Sequence, residues 1–371
     1  MTLNIKLGCI CESISQKFNS QIRDVVLVNT SDVLDGNVTN HDYVPNKNLR
    51  GQFKKSFCKG DILYSEIRPK NRRFAFVDFH ADDYIASTKL MVIRANKHVL
   101  PEFLFQVLKS DMIIDQLQML AETRSGTFPQ ITFSELAALE VYIPSINIQR
   151  EIAGTLSTLD DKIENNKKIN QNLEQLAQAI FKSWFVDFEP FSGTMPDNWQ
   201  EGTLGDIASI TSGKRPSYRQ SDYSDDAKIP LLGASSIMGY TNTVLYDERI
   251  LVTGRVGTHG IIQRYSRPCW TSDNTLVIKS DFYEFTYQQL CRVDFHNMNR
   301  GSTQPLITQT DLKNVSILIP NKTVLQEFEK SVGSLMKQYE NNILESERVV
   351  KLRDALLPRL MSGEIRMPSW S

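Results

Sequence analysis

The chain has 371 residues, and 41% of them are hydrophobic, so it is long enough for two domains with separate cores. Its 42 basic and 43 acidic residues leave a net charge of −1, which does not exclude nucleic acid, because the distribution of charge matters more than its sum. No apolar run approaches the ~20 residues of a membrane span, and the N-terminus lacks the layout of a secretory signal. We therefore expect a cytoplasmic protein with no membrane partner.

Residues 1–147 predict a first α+β domain. Short alternating runs such as DVVLVNTSDV, GDILYSEIR and KLMVIRA are bounded by Gly, Pro, Asn and Asp, which is typical of strands and turns. A single helical stretch, Glu102–Leu120, is predicted after them. Basic residues outnumber acidic ones in the segment 50–73, so positive charge is concentrated in one part of a nearly neutral chain.

Residues 148–197 predict a long central helical region. The segment from Ser145 to Phe188 has no proline, and residues on one stripe recur at alternating spacings of four and three. This pattern is a heptad seam on a long helix, with asparagines at its middle. The seam positions are Ile152, Leu156, Leu159, Ile163, Asn166, Asn170, Leu173, Ala177, Ile180 and Trp184.

Residues 198–323 predict a second α+β domain. The runs KIPLLGASSI, RILVTGRVG and NTLVIKSD again indicate strands bounded by turn residues, and Phe285–Asn297 predicts one helix. The two domains match each other only loosely, because the loops between their common landmarks differ in length and residue type.

Residues 324–371 predict a C-terminal helical region that repeats the central one. SGTFPQITFSELAALEVYIP, from Ser125, matches GSTQPLITQTDLKNVSILIP, from Gly301, and the match continues without a gap along both helices. A fixed long period indicates two copies of one structural unit. We expect the two helices to pair as an antiparallel coiled coil whose central asparagines fix its register. The alternative is that each helix packs on its own domain.

The repeat has drifted apart in the domains and stayed alike in the helices. A symmetric pair of identical subunits reads a palindromic DNA site. A fused pair of diverged copies on a pseudo-twofold frame therefore predicts a protein that faces two different half-targets.

This layout resembles the specificity (S) subunit of type I restriction–modification enzymes over essentially the whole chain. The resemblance is carried by VVKLRDALLPRLMSGEIRM at Val349–Met367, by NLEQLAQAIFKSWFVDFEPF at Asn172–Phe191, and by the helix beginnings after Pro144 and Pro320. MPDNWQEGTLGDI and GDILYSEIRP add to it. It implies an α+β fold with two target recognition domains, each reading one half of a bipartite, asymmetric DNA target, and two long helices that set the spacing.

The resemblance also implies partners and places the catalytic chemistry on them. Two modification subunits would carry S-adenosylmethionine and methylate adenine, and restriction subunits would cut DNA with ATP and Mg²⁺. This chain itself has no Pro-Pro pair for a methyltransferase loop and no GxxxxGK[ST] phosphate loop. Its five scattered cysteines lack zinc-site spacing. We therefore expect a non-catalytic chain with no cofactor or metal of its own.

Base readout in the major groove uses Arg or Lys for guanine and Asn or Gln for adenine, with further contacts to phosphates. The candidates in the first domain are Lys54, Lys55, Arg68, Lys70, Arg72, Arg73, Arg124, Thr127 and Gln130. Those in the second domain are Lys214, Arg215, Arg219, Arg255, Thr258, His259, Arg264, Arg267, Arg300, Thr303 and Gln304. For any single basic residue, an ordinary solvated role is an equal alternative, and for His259 a structural or solvent-exposed role is favoured.

Large apolar side chains at the end of each helix exceed what one seam buries, which predicts a site for a partner subunit. The candidates are Ile180, Phe181, Trp184, Phe185 and Phe188, with their repeat partners Leu356, Leu357, Leu360 and Met361. Packing onto the adjacent domain is the alternative. For the whole chain, the runner-up to a DNA-specificity subunit is a protein scaffold with two protein-binding domains. An autonomous nuclease is disfavoured, because no catalytic cluster is apparent.

Overall fold

The structure, a computed structural model, describes residues 3–18, 21–49, 51–123, 129–256, 258, 260–298, 306–361 and 364–365. The chain divides into two compact units. The first unit contains Met1–Asn166 and Leu344–Ser371, and the second contains Lys167–Ile343. Each unit therefore holds one α+β domain together with part of each long helix.

The first domain is built from short strands followed by three short helices. Its strands are β1 (Leu3–Lys6), β2 (Cys11–Ile14), β3 (Asp24–Val28), β4 (Val33–Leu34), β5 (Asn37–Val38), β6 (Tyr43–Pro45), β7 (Phe53–Lys55), β8 (Ile62–Ser65), β9 (Phe74–Phe76), β10 (Tyr84–Ser87), β11 (Leu90–Ala95) and β12 (Glu140–Ile143). The helices are α1 (Pro101–Leu108), α2 (Asp111–Glu122) and α3 (Phe133–Ala138), and the long helix α4 (Ile146–Phe185) follows β12.

The second domain repeats this plan with fewer strands. Its elements are β13 (Gln200–Thr203), α5 (Leu204–Ile207), β14 (Ser209–Ser212), β15 (Ile229–Leu232), β16 (Ile237–Thr241), β17 (Ile250–Gly254), β18 (Gln263–Tyr265), β19 (Trp270–Thr271), β20 (Thr275–Lys279), α6 (Tyr283–Cys291), α7 (Gln309–Lys313) and β21 (Ser316–Ile319). The long helix α8 (Lys322–Met361) follows.

The order of strands shows the duplication directly. A four-stranded antiparallel sheet has the order β2-β11-β8-β9 in the first domain and β14-β20-β17-β18 in the second. An antiparallel pair leads into each long helix, β1 with β12 and β13 with β21. The remaining sheets differ, since β6-β3-β10-β7 has four strands and β16-β15-β19 has three. The first domain also has the two-stranded sheet β4-β5, so the two copies share one four-stranded sheet and one strand pair and differ in their other sheets and loops.

The short helix before each long helix begins at a capping box in both copies. Thr132 is the N-cap of α3, and its backbone N–H donates to Glu135 at 2.7 Å. Thr308 does the same for α7, with its backbone N–H 3.1 Å from Asp311. A capping box satisfies backbone donors that a helix start would otherwise leave unpaired, which explains why ITFSEL and ITQTDL were retained.

The predicted helices inside the domains have different bounds in the structure. Glu102–Leu120 is not one helix, because Ser110 accepts a hydrogen bond from the backbone N–H of Ile113 and starts a new helix, α2. In the second domain, α6 ends at Cys291, whereas the sequence predicted a helix to Asn297. Serine is a strong N-cap, so a break at this position was readable in the sequence.

The long helices α4 and α8 have 40 residues each, about 60 Å at ~1.5 Å per residue. Within the first unit, Arg353 of α8 donates to Asp160 of α4 at 2.9 Å. Further along α4, Asn166 donates to Ser346 of α8 at 3.2 Å. Residues later in α4 therefore pair with residues earlier in α8, so the two helices run antiparallel.

The second unit shows the same direction of pairing. Asn342 donates to the side chain of Asn170 at 2.8 Å, and Asn170 donates to the backbone carbonyl of Tyr339 at 3.1 Å. Asn342 is only 4% exposed. The predicted antiparallel coiled coil with facing central asparagines is confirmed. Among the described residues, no helix is long and apolar enough to span a membrane.

The two compact units divide at Asn166/Lys167 and at Ile343/Leu344, within the long helices. The domain boundaries predicted from the sequence lie near the ends of the helices instead, after residues 147, 197 and 323. Those boundaries stay a prediction, because compact packing and evolutionary modules are different definitions of a domain.

Candidate nucleic-acid interface

Two of the predicted DNA-contacting residues in the first domain hold its own strands together. The ammonium of Lys55 donates to the carbonyls of Thr88 at 3.1 Å and Leu90 at 2.8 Å, and burial lowers the pKa of this amine. The guanidinium of Arg73 donates to the carbonyl of Ser31 at 2.9 Å. These contacts give both side chains a structural role inside the domain, and their contact with DNA stays a prediction.

Arg72 is also engaged inside the fold. Its guanidinium lies 2.6 Å from Asp35 and 2.8 Å from Asp111, with 29% of the side chain exposed. It connects the turn after β4 to the start of α2. Two carboxylates neutralise Arg72, which cross-links the turn to the helix, and its contact with DNA stays a prediction.

Three other basic residues of the first domain lie at the surface. Lys54 is exposed on β7, and Arg68 is exposed at the N-cap of a 3-10 turn, with a left-handed φ of 45°. Lys70 is 65% exposed and pairs with Asp115 at 3.4 Å. Such an exposed ion pair is weak, so Lys70 remains available to a phosphate.

The turn at Arg68 lies next to the segment that leads to α3. The backbone N–H of Arg68 donates to the carbonyl of Pro129 at 3.1 Å, and Ile67 forms a bridge with Gln130. The sequence predicted both Arg68 and Gln130 as DNA contacts without placing them together. The structure brings them to one edge of the domain.

The second domain has the same kind of backbone contact between a strand end and the segment that leads to its short helix, α7. The backbone N–H of Ile307 donates to the carbonyl of Arg255 at 2.9 Å, and Val256 forms a bridge with Leu306. Arg255 is half-buried, and its Nε has no hydrogen-bond partner within the described part of the chain. The matching hydrogen bond in the first domain runs from the backbone N–H of Ile131 to the carbonyl of Glu66, so Arg255 occupies the position of Glu66, and its contact with DNA stays a prediction.

Arg264 is buried and does not face a ligand. Its side chain is 6% exposed, and it forms an ion pair at 2.7 Å with Glu284, which is fully buried. The guanidinium also lies over the rings of Tyr283 and Tyr287. Arg249 lies 2.7 Å from the same carboxylate. The prediction of Arg264 as a DNA contact is therefore corrected to a structural ion pair.

The other candidates of the second domain have mixed surroundings. Arg267 is half-buried, with its guanidinium 5.6 Å from the centre of the Tyr265 ring. Thr258 is exposed. Six candidates from the two domains lie outside the described residues: Arg124, Thr127, His259, Arg300, Thr303 and Gln304.

The loop after β14 is held tightly at its start. The backbone N–H of Lys214 donates to the carbonyl of Thr271 at 2.9 Å, and the indole of Trp270 donates to the carbonyl of Lys214 at 2.6 Å. A Cβ at Gly213 would lie 2.2 Å from the carbonyl oxygen of Ser272. Only glycine permits this approach, which brings the loop against the turn between β19 and β20.

A cavity of about 390 Å³ opens between this loop and the turn, with Arg215, Arg219, Ser272, Asp273 and Asn274 in its lining. Both arginines are exposed. The sequence pointed to the arginines as basic candidates. It missed the three polar residues opposite them, because they lie more than fifty positions away along the chain and only the sheet order brings them close.

The predicted partner-binding patch lies in the cores of the units. Phe181 and Phe185 are 2% and 7% exposed, and Phe185 contacts the rings of Trp199, Phe285 and Phe328. In the first unit, Leu357 and Leu360 are 6% and 3% exposed. Half-buried residues packed on the same cores are Ile180, Trp184, Phe188 and Leu356.

The apolar side chains that motivated the partner prediction thus pack against the adjacent domains. This corrects the premise for the eight residues whose side chains are described, and the side chain of Met361 lies outside them. Packing on the adjacent domain, the alternative considered from the sequence, is what the structure shows.

A carboxylate of α8 holds the start of α6. Glu329 accepts hydrogen bonds from the backbone N–H groups of Phe285 at 2.8 Å and Glu284 at 3.1 Å. Burial raises the pKa of Glu329 to about 7, although those backbone donors oppose the shift. This contact could not be predicted from residue types or spacing. Glu329 thereby attaches the second domain to α8, because the backbone N–H groups at the start of α6 have no partner within that helix.

The described residues contain no group of three or more His, Cys, Asp or Glu side chains that would hold a metal ion. The geometry is that of a surface with exposed arginines, polar loops and one polar cavity. Such a surface can bind DNA by hydrogen bonds and charge.

Comparison with known proteins gives the family. Residues 16–175 and 196–352 match a family model described as "Type I restriction modification DNA specificity domain". The Haemophilus influenzae "Type I restriction enzyme HindI specificity subunit" is 34% identical, and the alignment covers 97% of this chain and 98% of the relative. The Methanocaldococcus jannaschii "Type I restriction enzyme MjaIX specificity subunit" is 28% identical, over 84% of this chain and 79% of the relative.

A solved structure supports the fold. The type I restriction–modification S subunit from M. genitalium covers 99% of this chain with a TM-score of 0.59 at 17% identity, and 97% of that structure is covered. Each of the two matched segments contains one α+β domain and much of the long helix after it. The family's description names DNA specificity, which favours that hypothesis over the protein scaffold. This chain belongs to the family of type I restriction–modification DNA specificity subunits.

Proposed function

We propose that the chain reads a bipartite, asymmetric DNA target, with one half read by each α+β domain. The observation that carries this proposal is a shared frame with diverged loops. The antiparallel sheets have the same strand order in both domains, while the second sheets and their loops differ. Two domains with the same frame and different loops would approach DNA alike and read different bases.

The long helices act as the ruler between the half-targets. Both α4 and α8 contribute residues to each compact unit, so both connect the two domains. The hydrogen bond between the half-buried Asn170 and the buried Asn342 supports a single register, because a polar pair on a seam is satisfied in one alignment only. A fixed register gives a fixed gap between the half-targets.

The chain recruits its catalytic partners and contributes no catalytic group. We assign adenine methylation with S-adenosylmethionine to two modification subunits, and cleavage with ATP and Mg²⁺ to restriction subunits. The matched names of relatives support membership of such a complex. A test is to incubate the isolated chain with labelled S-adenosylmethionine and DNA. We expect no transfer until modification subunits are added, and transfer by the chain alone would contradict the assignment.

Exposed leucines on the long helices suit the partner contacts better than the buried patch. Leu176 on α4 is 47% exposed, and its repeat counterpart Leu352 on α8 is 50% exposed. Because they occupy equivalent positions, each would hold one copy of the same partner. We expect Leu176→Glu to remove one modification subunit and Leu352→Glu the other, measured as a mass change by light scattering. Retention of both subunits by both variants would refute this placement.

A further inference from the structure

The cavity beside the loop after β14 combines donors and an acceptor that the fold leaves unused. The side chains of Arg215, Arg219 and Asp273 are exposed, and within the described residues none of them makes a hydrogen bond or ion pair. Arginine and aspartate facing one cavity without pairing to each other are available to a ligand that presents both an acceptor and a donor.

The wall of the cavity contains a second unused group. Ser272 is 3% exposed, and its hydroxyl has no hydrogen-bond partner among the described residues. A buried hydroxyl without a partner costs about 1–3 kcal/mol, so a ligand or water that satisfies it is expected. This observation is independent of the arginines and points to the same place.

The loop that carries the arginines is rigid at both ends. Besides the contacts of Lys214 and Gly213, Gln220 pairs with Tyr240 through backbone hydrogen bonds of 3.0 and 2.8 Å. The hydroxyl of Thr241 donates to the carbonyl of Tyr218 at 2.7 Å. The backbone of the loop is therefore preorganised, while the side chains of Arg215 and Arg219 are exposed.

The charged side chains that line this cavity favour some chemical groups of DNA over others. A phosphate would bring negative charge next to the carboxylate of Asp273, which disfavours it. In the major groove, guanine presents the O6 and N7 acceptors to an arginine fork, and cytosine presents its N4 amino group to a carboxylate. The amide of Asn274 has a donor and an acceptor and fits either base pair.

We propose that this cavity reads a G·C base pair in the half-target of the second domain. An arginine of the pair Arg215 and Arg219 donates to guanine, and Asp273 accepts from cytosine. The proposal rests on the proposed function, since it assigns one base pair within the DNA that the second domain reads.

The test uses the chain assembled with its own modification subunits, in a host without other adenine methylation. Methylated targets are mapped across the genome for the wild type and for Arg215→Ala, Arg219→Ala and Asp273→Asn. We expect one G·C position of the second half-target to relax, with discrimination falling about tenfold to a hundredfold in Asp273→Asn and at least one arginine variant. The first half-target should not change.

Lysine variants separate a base contact from a phosphate contact. Arg215→Lys and Arg219→Lys keep the charge and lose the planar fork, so the arginine that reads guanine should lose discrimination as lysine too. Lys228→Ala, at an exposed lysine of the same domain, is the control for loss of charge. The intact first half-target reports that the complex has folded and assembled.

Three results would overturn the inference. They are a second half-target without a G·C pair, variants with unchanged targets, and an alanine variant that weakens all targets equally while its lysine counterpart restores them. A wild-type complex that methylates without any bipartite target would instead refute the proposed function itself.

Discussion

Glu284 is fully buried in the second domain, and two arginines, Arg264 and Arg249, neutralise it. The sequence could not distinguish Arg264 from Arg215, because both are arginines in polar, strand-flanking segments. The difference lies in a carboxylate twenty positions away on α6. Basic residues are assigned to DNA or to the fold only once such partners are known.

Removing Arg264 should destabilise the second unit without changing the DNA target. Arg264→Ala leaves the Glu284 carboxylate buried and partly unpaired, which costs ~3–5 kcal/mol. Three of the four tryptophans, Trp184, Trp199 and Trp270, belong to this unit, so tryptophan fluorescence during urea unfolding follows mainly this unit. Arg215→Ala is the matched control and should unfold like the wild type. Equal stability of the two variants would contradict the structural role of Arg264.

Glu329 should make the second unit less stable as the pH rises. Its pKa is raised to about 7 by burial, so between pH 4.5 and 7 the folded state binds more protons than the unfolded state. Stability from this group is therefore highest below pH 4.5, falls as the pH rises, and is lowest above 7. For Glu329→Gln, we expect stability relative to wild type to rise by about 3 kcal/mol between pH 4.5 and 7.5.

Urea unfolding followed by tryptophan fluorescence at both pH values measures this difference. The acid Glu327, which is exposed on the same helix, supplies the control variant Glu327→Gln. A pH-independent difference for Glu329→Gln would show that this carboxyl titrates normally.

At the scale of elements, the heptad seam was the part of the fold that the sequence predicted best. Its apolar and asparagine positions follow one helical stripe, and the structure pairs the stripes as expected. The helices of the first domain were predicted less well, because apolar periodicity runs through Ser110 although its hydroxyl caps a new helix. The apolar residues near Phe185 show a further limit, since periodicity indicates burial without indicating which surface covers them.

The asparagine pair should fix the register of the two helices and leave the protein less stable than a pair of leucines would. Asn342→Leu alone leaves the side-chain oxygen of Asn170 without the donor that Asn342 supplies and should cost about 1–3 kcal/mol. The double variant Asn170→Leu with Asn342→Leu should recover that loss, because leucines pack well on a seam. Thermal unfolding of the wild type, the two single variants and the double variant measures the coupling. Additive effects would mean that the two side chains do not interact.

At the scale of the whole molecule, the internal repeat and the family resemblance together indicated the function. The cavity between Arg215 and Asp273 could not be predicted, because it depends on the order of strands and on the close approach at Gly213. Which bases are read depends on such loop geometry, so the target itself is not readable from residue types.

Lengthening both long helices should widen the gap between the half-targets. One heptad inserted after Asn166 and one after Ile343 keeps the seam in phase and adds about 10 Å, roughly three base pairs. Methylation mapping should show both half-targets unchanged and a longer gap. A seven-residue insertion after Asn242, in an exposed turn, is the control and should leave the gap alone. An unchanged gap in the lengthened helices would contradict the ruler.

The most direct test of the account is an exchange of one domain. Residues 198–323 are replaced by the corresponding segment of the Haemophilus influenzae relative, and the methylated targets of the assembled complex are mapped for both parents and the chimaera. If each domain reads its own half, the chimaera keeps the first half-target of this chain and acquires the second half-target of the relative. A chimaera in which both halves change, or in which the first half changes instead, would contradict the claim that each domain reads its own half.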